Sequence, residues 1–326
     1  MRKRVLSGMQ PSGLLHLGNL LGALDNWNLL QKDYDCFFFV ADWHALSTNY
    51  ADTSRIKEFS REMVIDWLAS GIDPQRSTVF VQSHIPYHAV LHLLLSMIVP
   101  VPWLERNPTY KEKQEQLAER DLTTYGFLGY PVLQAADILL YKPDLVPVGK
   151  DQLPHLELTR ELARRFNSMY GPVFPEPQEH LTQFPKVLGT DGRKMSKSYG
   201  NTINLSDAEP IVRQKLKTMI TDPARVKRTD PGNPDVCPVY DFHKIFSSTE
   251  VKERVNRECR TAEIGCIDCK KLVADTMVQR LTPIWERRAT LKAHPDQVEE
   301  VVREGSKRAA SVSGQTLEEA KAAMKI

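Results

Sequence analysis

Val5-Leu6-Ser7-Gly8-Met9-Gln10-Pro11-Ser12-Gly13-Leu14-Leu15-His16-Leu17-Gly18-Asn19 begins as a short strand-like run and passes through a turn of small residues. It then enters an apolar stretch, Leu20 to Leu30, with the spacing of a helix. The turn residues and His16 therefore sit at a helix N-terminus, where free backbone N–H groups and the positive end of the dipole attract phosphate. A second segment, Arg193-Lys194-Met195-Ser196-Lys197-Ser198, carries lysines three apart and is introduced by Gly189 and Gly192. A glycine-hinged basic loop of this kind can close over a phosphate chain. Each has a commonplace reading alone: such turns occur in α/β proteins that bind no nucleotide, and Lys-x-x-Lys is often a solvated face. Taken together they are suited to a nucleoside triphosphate.

The same alternation continues outward. Cys36-Phe37-Phe38-Phe39-Val40-Ala41 and Ser77-Thr78-Val79-Phe80-Val81 are aromatic and β-branched runs beside a helical pattern at Ser54 to Ala69. This is the rhythm of an α/β, doubly wound parallel sheet, in which ligands bind beyond the C-terminal strand ends. His44 and Gln82 fall at two such ends, where a polar residue also serves as a cap or turn former. From Pro102 to about Arg165 the pattern turns helical, with a charged segment at Lys111 to Asp121. A loop spans Gly171 to Pro177, and the chain returns through Pro185-Lys186-Val187-Leu188 to the lysine loop. Ser206-Asp207-Ala208-Glu209 reads as a capping box with Pro210 in the first turn of a helix. The domain change is placed near Leu205, giving domains 1–204 and 205–326, the second helical apart from a Pro-rich loop at Asp222 to Pro238.

The 326 residues accommodate about two domains. At 41% hydrophobic and 26% charged, the composition is that of an ordinary globular protein. A net charge of +2 gives no sign of a nucleic-acid partner, which would have to be bound through a local patch. Arg213, Lys215, Lys217, Arg225, Lys227 and Arg228 form one candidate, equally well read as a solvated helix face followed by a loop. Met1-Arg2-Lys3-Arg4 is not followed by an apolar segment of signal-peptide length, and Ala89 to Val99 is too short to cross a bilayer. A cytoplasmic protein with no membrane partner is expected.

Two further clusters carry chemistry. Tyr130, Gln134, Asp137 and Ile138 share one face of an apolar helical segment, so a single acceptor sits on an apolar surface. Such a face suits an aromatic ligand bearing one N–H; spacing alone equally allows Asp137 to cap or to pair within the domain. Four of the five cysteines follow the pattern C-x21-C-x6-C-x2-C at Cys237, Cys259, Cys266 and Cys269. In a cytosolic chain this points to metal ligation, by a tetrahedral zinc or a 4Fe–4S cluster; only one C-x2-C pair is present, which favours iron–sulfur. Cys36, in a strand run, is expected in the core.

Lys194 to Ser198 matches the Lys-Met-Ser-Lys-Ser signature of class I aminoacyl-tRNA synthetases at every position. His16-Leu17-Gly18-Asn19 resembles their His-Ile-Gly-His element, with Asn19 in place of the last histidine. Tyr130-Pro131 through Tyr141, Val146-Pro147-Val148-Gly149-Lys150-Asp151-Gln152, Glu157-Leu158-Thr159-Arg160 and Ser7 to Gly13 resemble the bacterial tryptophanyl branch over most of residues 5–200. The resemblance implies a Rossmann-like catalytic domain with a helical insertion at about 102–170 and an α-helical anticodon-binding domain. It implies L-tryptophan, ATP, Mg²⁺ and tRNA(Trp) as substrates and partners, and a homodimer across which tRNA binds. Asp137 would accept the indole N–H, with Tyr130 and Gln134 at the ammonium end and His44, Ile138, Val146 and Val148 around the ring. Gly149, Asp151 and Gln152 would lie near the ribose. Gly8, Gln10, His16, Gly18 and Asn19 would lie beside the adenine and phosphates, together with Lys194, Met195, Ser196 and Lys197. Lys194, Lys197, Gln10 and Lys111 are the expected catalytic residues. A subset of this family is similar in carrying a 4Fe–4S cluster on four cysteines. On this reading Asp137→Ala removes tryptophan discrimination and leaves folding intact.

Overall fold

Strands form where the apolar runs lie: β1 at Arg4–Met9, β2 at Asp35–Val40 and β3 at Ser77–Val81. The computed structural model describes residues 2–108, 123–181 and 187–326. Between β1 and β2 the chain forms α1 (Leu17–Asn19), a π-helical turn (Leu20–Leu24) and α2 (Asp25–Asp33). Helices α3 (Asp42–Asn49) and α4 (Ile56–Ser70) join β2 to β3. After β3 come α5 (Tyr87–Ser96), α6 (Val101–Glu105), α7 (Tyr125–Tyr141), β4 (Leu145–Val148), α8 (Leu153–Tyr170) and β5 (Gln178–Leu181). The remainder is helical: α9 (Glu209–Thr218), α10 (Pro238–Phe246), α11 (Thr249–Arg260), α12 (Cys266–Ala293) and α13 (Pro295–Met324).

The five strands are parallel in the order β3-β2-β1-β4-β5. Side chains alternate across the sheet, and both faces are covered, which is why β2 reads as an unbroken apolar run. Val5, Cys36, Phe38, Val40 and Val79 face one core with Trp27 and Trp67; Leu6, Phe37, Phe39 and Phe80 face the other with Leu91, Leu139 and Tyr141. Cys36 is buried as expected, and burial pushes its thiol up to about 12.

Two sequence expectations are corrected, and one strand has no signal. The helical pattern from Pro102 to Arg165 is interrupted by β4, an inner strand of only four residues, one of them Pro147, too short to show a period. The last strand, Gln178–Leu181, has no sequence signal, being a polar, largely exposed edge with no apolar alternation; Pro185 and Lys186 lie outside the described residues. The box at Ser206 does not cap: α9 begins at Glu209 with Ala208 at the N-cap. Asp207 instead accepts from the Asn204 N–H at 2.8 Å and pairs with Lys215.

The helical half packs onto the sheet half. Arg288 of α12 is buried against Asp66 and Glu62 of α4. Gly305 of α13 lies so close to β3 that a Cβ there would sit 1.8 Å from the Val79 carbonyl oxygen. One core therefore runs from Val5 through Leu216 and Phe242 to Val298.

Candidate functional site

The two signature segments are brought together by backbone pairing. Leu17 N–H donates to Ile203 O at 3.0 Å and Leu205 N–H to Leu15 O at 2.8 Å, so the chain leaving the lysine loop runs antiparallel to the first turn. The loop is a short hairpin: Gly189 N–H donates to Arg193 O (2.7 Å), Met195 N–H to Val187 O (2.9 Å), and Gly192 takes φ +77° at the bend. Buried Asn201 clamps it, accepting from Ser196 N–H at 2.8 Å and donating to Asp191 Oδ1 (2.7 Å) and Lys194 O (3.2 Å). Lys197 Nζ donates to the Gly13 carbonyl at 2.9 Å, and the Lys194 side chain is exposed.

His16 caps α1. Its Nδ1 accepts from Gly18 N–H at 3.1 Å, and Asn19 Oδ1 accepts from His16 N–H at 3.1 Å. Gly18 is required here, since a Cβ would lie 2.9 Å from the His16 ring. Burial and then the Lys197 charge lower His16 to about 4, so the ring is neutral near pH 7. With Nδ1 accepting, Nε2 carries the proton and remains a donor. Burial lowers Lys197 to about 8, leaving it mostly charged at neutral pH.

Beside this turn lies a cavity of about 310 Å³ at the C-terminal ends of β1, β2 and β4. The sequence-predicted Gly8, Gln10, His44, Tyr130, Gln134, Asp137, Ile138, Val146, Val148, Gly149 and Gln152 all line it. Asp151 does not; it accepts from the Gln152 amide at 2.9 Å. His16, Asn19 and the lysine loop border the adjoining turn rather than the cavity. Gly8 opposes Phe39 across the ladder, and a Cβ there would lie 2.6 Å from the ring. Tyr130 is fixed from behind by His155, whose Nε2 lies 3.0 Å from the phenol oxygen.

Asp137 is wholly buried on the cavity wall. His44 Nε2 lies 2.8 Å from its Oδ2, His88 Nδ1 lies 2.7 Å from its Oδ1, and Gln82 Nε2 donates to both oxygens at 2.8 and 2.9 Å. Gln82 cannot turn round, because its Oε1 accepts from Trp43 N–H at 3.1 Å. Burial works to raise the Asp137 carboxyl, but the hydrogen bonds and charge of His44 and His88 outweigh it and hold the group at about 2. The arrangement is an ionised acceptor facing an apolar chamber.

A profile of the family described as tRNA synthetases class I (W and Y) matches residues 1–282. The tryptophan--tRNA ligase of Thermotoga maritima is 55% identical over 99% of both chains, and that of Aquifex aeolicus 42% identical over 99% of this chain and 100% of its own. The crystal structure of Campylobacter jejuni tryptophanyl-tRNA synthetase, complexed with ADP and tryptophan, superposes with a TM-score of 0.91 at 31% identity, covering 99% of this chain and 100% of its own. The chain belongs to the class I tryptophanyl-tRNA synthetases. It is an ATP-dependent enzyme that joins tryptophan to tRNA, on the Rossmann-like fold of that class.

In this synthetase the four cysteines come from three helices. Cys237 precedes α10, Cys259 lies in the last turn of α11, and Cys266 and Cys269 stand in the first turn of α12. None is in a disulfide. Burial, then the neighbouring Cys237, Cys259 and Cys266, push the Cys269 thiol up to about 12, as expected of four thiols in one neighbourhood. Among the described residues no three His, Cys, Asp or Glu side chains converge tightly enough to hold a single ion. Gly232 leaves room for the Cys259 sulfur, since a Cβ there would lie 2.7 Å from Sγ.

The basic patch is largely consumed within the synthetase fold. Arg213 pairs with Glu209 and Asp275, Lys215 pairs with Asp207, Arg228 donates to the carbonyls of Ala262 and Glu263, and buried Arg225 donates to Ile264 O at 2.7 Å. Lys111 lies outside the described residues. Sequence reasoning missed Trp27, Phe39 and Asn26 on the cavity wall and Asn201 in the loop. The first two resemble any core aromatic, and nothing in the spacing marks the asparagines.

Proposed function

We propose that the 310 Å³ cavity receives the tryptophan side chain with its indole N–H donating to Asp137, and that ATP lies along the Gly8–Asn19 turn. The observation that carries this reading is the ionised, wholly buried Asp137 on the wall of an apolar chamber. An amino acid without a donor at that point leaves the carboxylate one partner short. Rejection then comes from binding alone, since a site built for a polar partner discriminates by several kcal/mol (~10⁴-fold or more). Tyr130 and Gln134 hold the ammonium end; His44, Ile138, Val146 and Val148 bound the ring. Gly149, Asp151 and Gln152 lie at the ribose side, with Gly8 and Gln10 at the adenine side.

The tryptophan carboxylate attacks the α-phosphorus of ATP in line, giving the adenylate and pyrophosphate; the terminal ribose hydroxyl of tRNA(Trp) then takes the aminoacyl group. Catalysis is positioning and electrostatics. His16 Nε2–H and the Gly18 and Asn19 turn face the phosphates from below. Lys197 leaves the Gly13 carbonyl for the developing pyrophosphate charge, joined by Lys194; Mg²⁺ brought in with ATP would add positive charge there. Met195, buried beneath the loop, and Ser196, held by Asn201, set the height of the lysines. Tryptophan-dependent exchange of pyrophosphate into ATP is the test; absence of tryptophan-dependent exchange in the folded protein overturns the reading.

The cysteine quartet holds a 4Fe–4S cluster in the anticodon-binding half. Four thiols gathered where α10, α11 and α12 come together support a metal group there, and the single C-x2-C pair favours the cluster over zinc. Its contribution is structural, tying three helices together. A colourless protein with stoichiometric zinc after anaerobic purification overturns this. The synthetase works as a homodimer in the cytoplasm. Exposed Leu46, Tyr50, Leu93, Met97, Val101 and Tyr125, carried by α3, α5, α6 and α7 or the residues that end them, support a partner surface there, and light scattering measures the mass. No helix among the described residues is long and apolar enough to cross a membrane.

A further inference from the structure

We propose that His88 and Tyr141 are positioning residues for tryptophan selection, keeping Asp137 a bare acceptor by fixing the direction of hydrogen bonding along a buried line from the cavity wall to the C-terminal helix α13. The inference rests on Asp137 being the indole acceptor.

His88, on α5, does not line the cavity and is fully buried. Its Nδ1 is 2.7 Å from Asp137 Oδ1, and its Nε2 is 2.8 Å from the Tyr141 hydroxyl. An ionised carboxylate only accepts, so Nδ1 carries the hydrogen. Nε2, at the far side of the ring, then needs a hydrogen-bonding partner of its own. Around the ring stand Phe39 and Phe80, each with its centroid 6.2 Å away, and neither offers one. The Tyr141 hydroxyl does. Burial holds the phenol well above its ordinary pKa, so its hydrogen is always present. Buried Ser313 of α13 lies beside the Tyr141 side chain, so the line ends against the last helix.

The opposite tautomer has a specific penalty. With the hydrogen on Nε2, the Nδ1 lone pair would face the carboxylate, and Asp137 would have to take up a proton to meet it. A protonated Asp137 spends one oxygen as a donor and is a weaker acceptor for an indole N–H. A core that needed only volume at these positions would be served by leucine and phenylalanine. Instead an imidazole and a phenol stand in line behind the specificity carboxylate. They act through Asp137 and touch no substrate.

The test is pyrophosphate exchange by the full-length protein with tryptophan and with its benzothiophene isostere, in which sulfur replaces the indole N–H. The readout is the ratio of kcat/KM for the two. Tyr141→Phe is expected to lower that ratio about tenfold, which is about 1.4 kcal/mol. The change should lie in the KM for tryptophan, with the KM for ATP unmoved. His88→Gln, whose amide reaches toward the Nε2 position, is expected to lose discrimination. His88→Asn, whose amide replaces Nδ1–H, is expected to retain most of it. A ratio unchanged in Tyr141→Phe and His88→Gln, while Asp137→Asn collapses it, overturns the proposal. If Asp137→Asn also leaves the ratio unchanged, the acceptor assignment itself is wrong and the proposal falls with it.

Discussion

Replacing Asp137 with alanine should cost stability as well as selectivity, contrary to the expectation from the family resemblance that folding stays intact. Three side chains depend on that carboxylate: His44, His88 and Gln82, at 2.7 to 2.9 Å. His88 and Gln82 are fully buried, whereas His44 faces the cavity, where water can replace the lost oxygen. Two stranded donors at about 1–3 kcal/mol each give roughly 2–6 kcal/mol. Removing a desolvated charge offsets part of this, so we expect about 3 kcal/mol, a large share of a typical 5–15 kcal/mol. Guanidinium unfolding of the ligand-free protein, followed by circular dichroism, measures it. The acid limb adds a signature. Asp137 sits at about 2 in the folded chain against an ordinary 3.8, so its contribution is complete above about pH 4 and fades as pH falls from 3.8 toward 2. Asp137→Ala should therefore flatten that part of the stability profile. A midpoint shift worth under about 0.5 kcal/mol with an unchanged acid limb would mean that the three donors do not rely on this carboxylate.

Lys197→Ala should lower kcat for adenylate formation by about 10²-fold or more with little change in KM, because its charge acts on the departing pyrophosphate; an equal change in KM would refute that. Since Lys197 sits at about 8 in the ligand-free protein, kcat/KM for ATP should decline as pH rises through 8, and Lys197→Arg should move that limb upward. Asn201→Ala frees the Ser196 N–H and the Lys194 carbonyl, so kcat should drop about tenfold at a temperature where denaturation shows the variant still folded; an unchanged kcat would mean that the clamp does not position the lysines. Gly305→Ala puts a Cβ 1.8 Å from the Val79 carbonyl oxygen and should cost about 2 kcal/mol or more; an unaltered midpoint would show that α13 can slide on the sheet.

What the sequence disclosed and what it hid follow one physical division. Periodicity reports which residues share a face. The aromatic run of β2, with both faces covered, and the Tyr130, Gln134, Asp137, Ile138 face of α7 were legible for that reason, and all four residues line one cavity. β4 and β5 were not, because a four-residue strand containing proline and a polar edge strand show no period. Partners across elements are invisible to any local pattern. His88 and His44 reach Asp137 from 49 and 93 positions away, and Asn201 holds a loop whose motif of lysines, serines and a methionine does not include it.

That division explains why the chemistry of Asp137 was half readable. Spacing left it open whether the residue was a cap, an internal partner or a ligand acceptor, and the folded chain hydrogen-bonds it internally and makes it a candidate for the third. A carboxylate with no donors at that depth would be protonated and would bind an N–H weakly. The three donors keep it ionised, and because Gln82 shares one amide between both oxygens, an acceptor position remains for a further donor arriving through the cavity. On the proposed binding mode, selectivity for an indole would thus reside in α3, α5 and the turn after β3 as much as in α7. A substitution at His88, invisible to any motif, should alter amino-acid choice more than one at the cavity-lining Ile138.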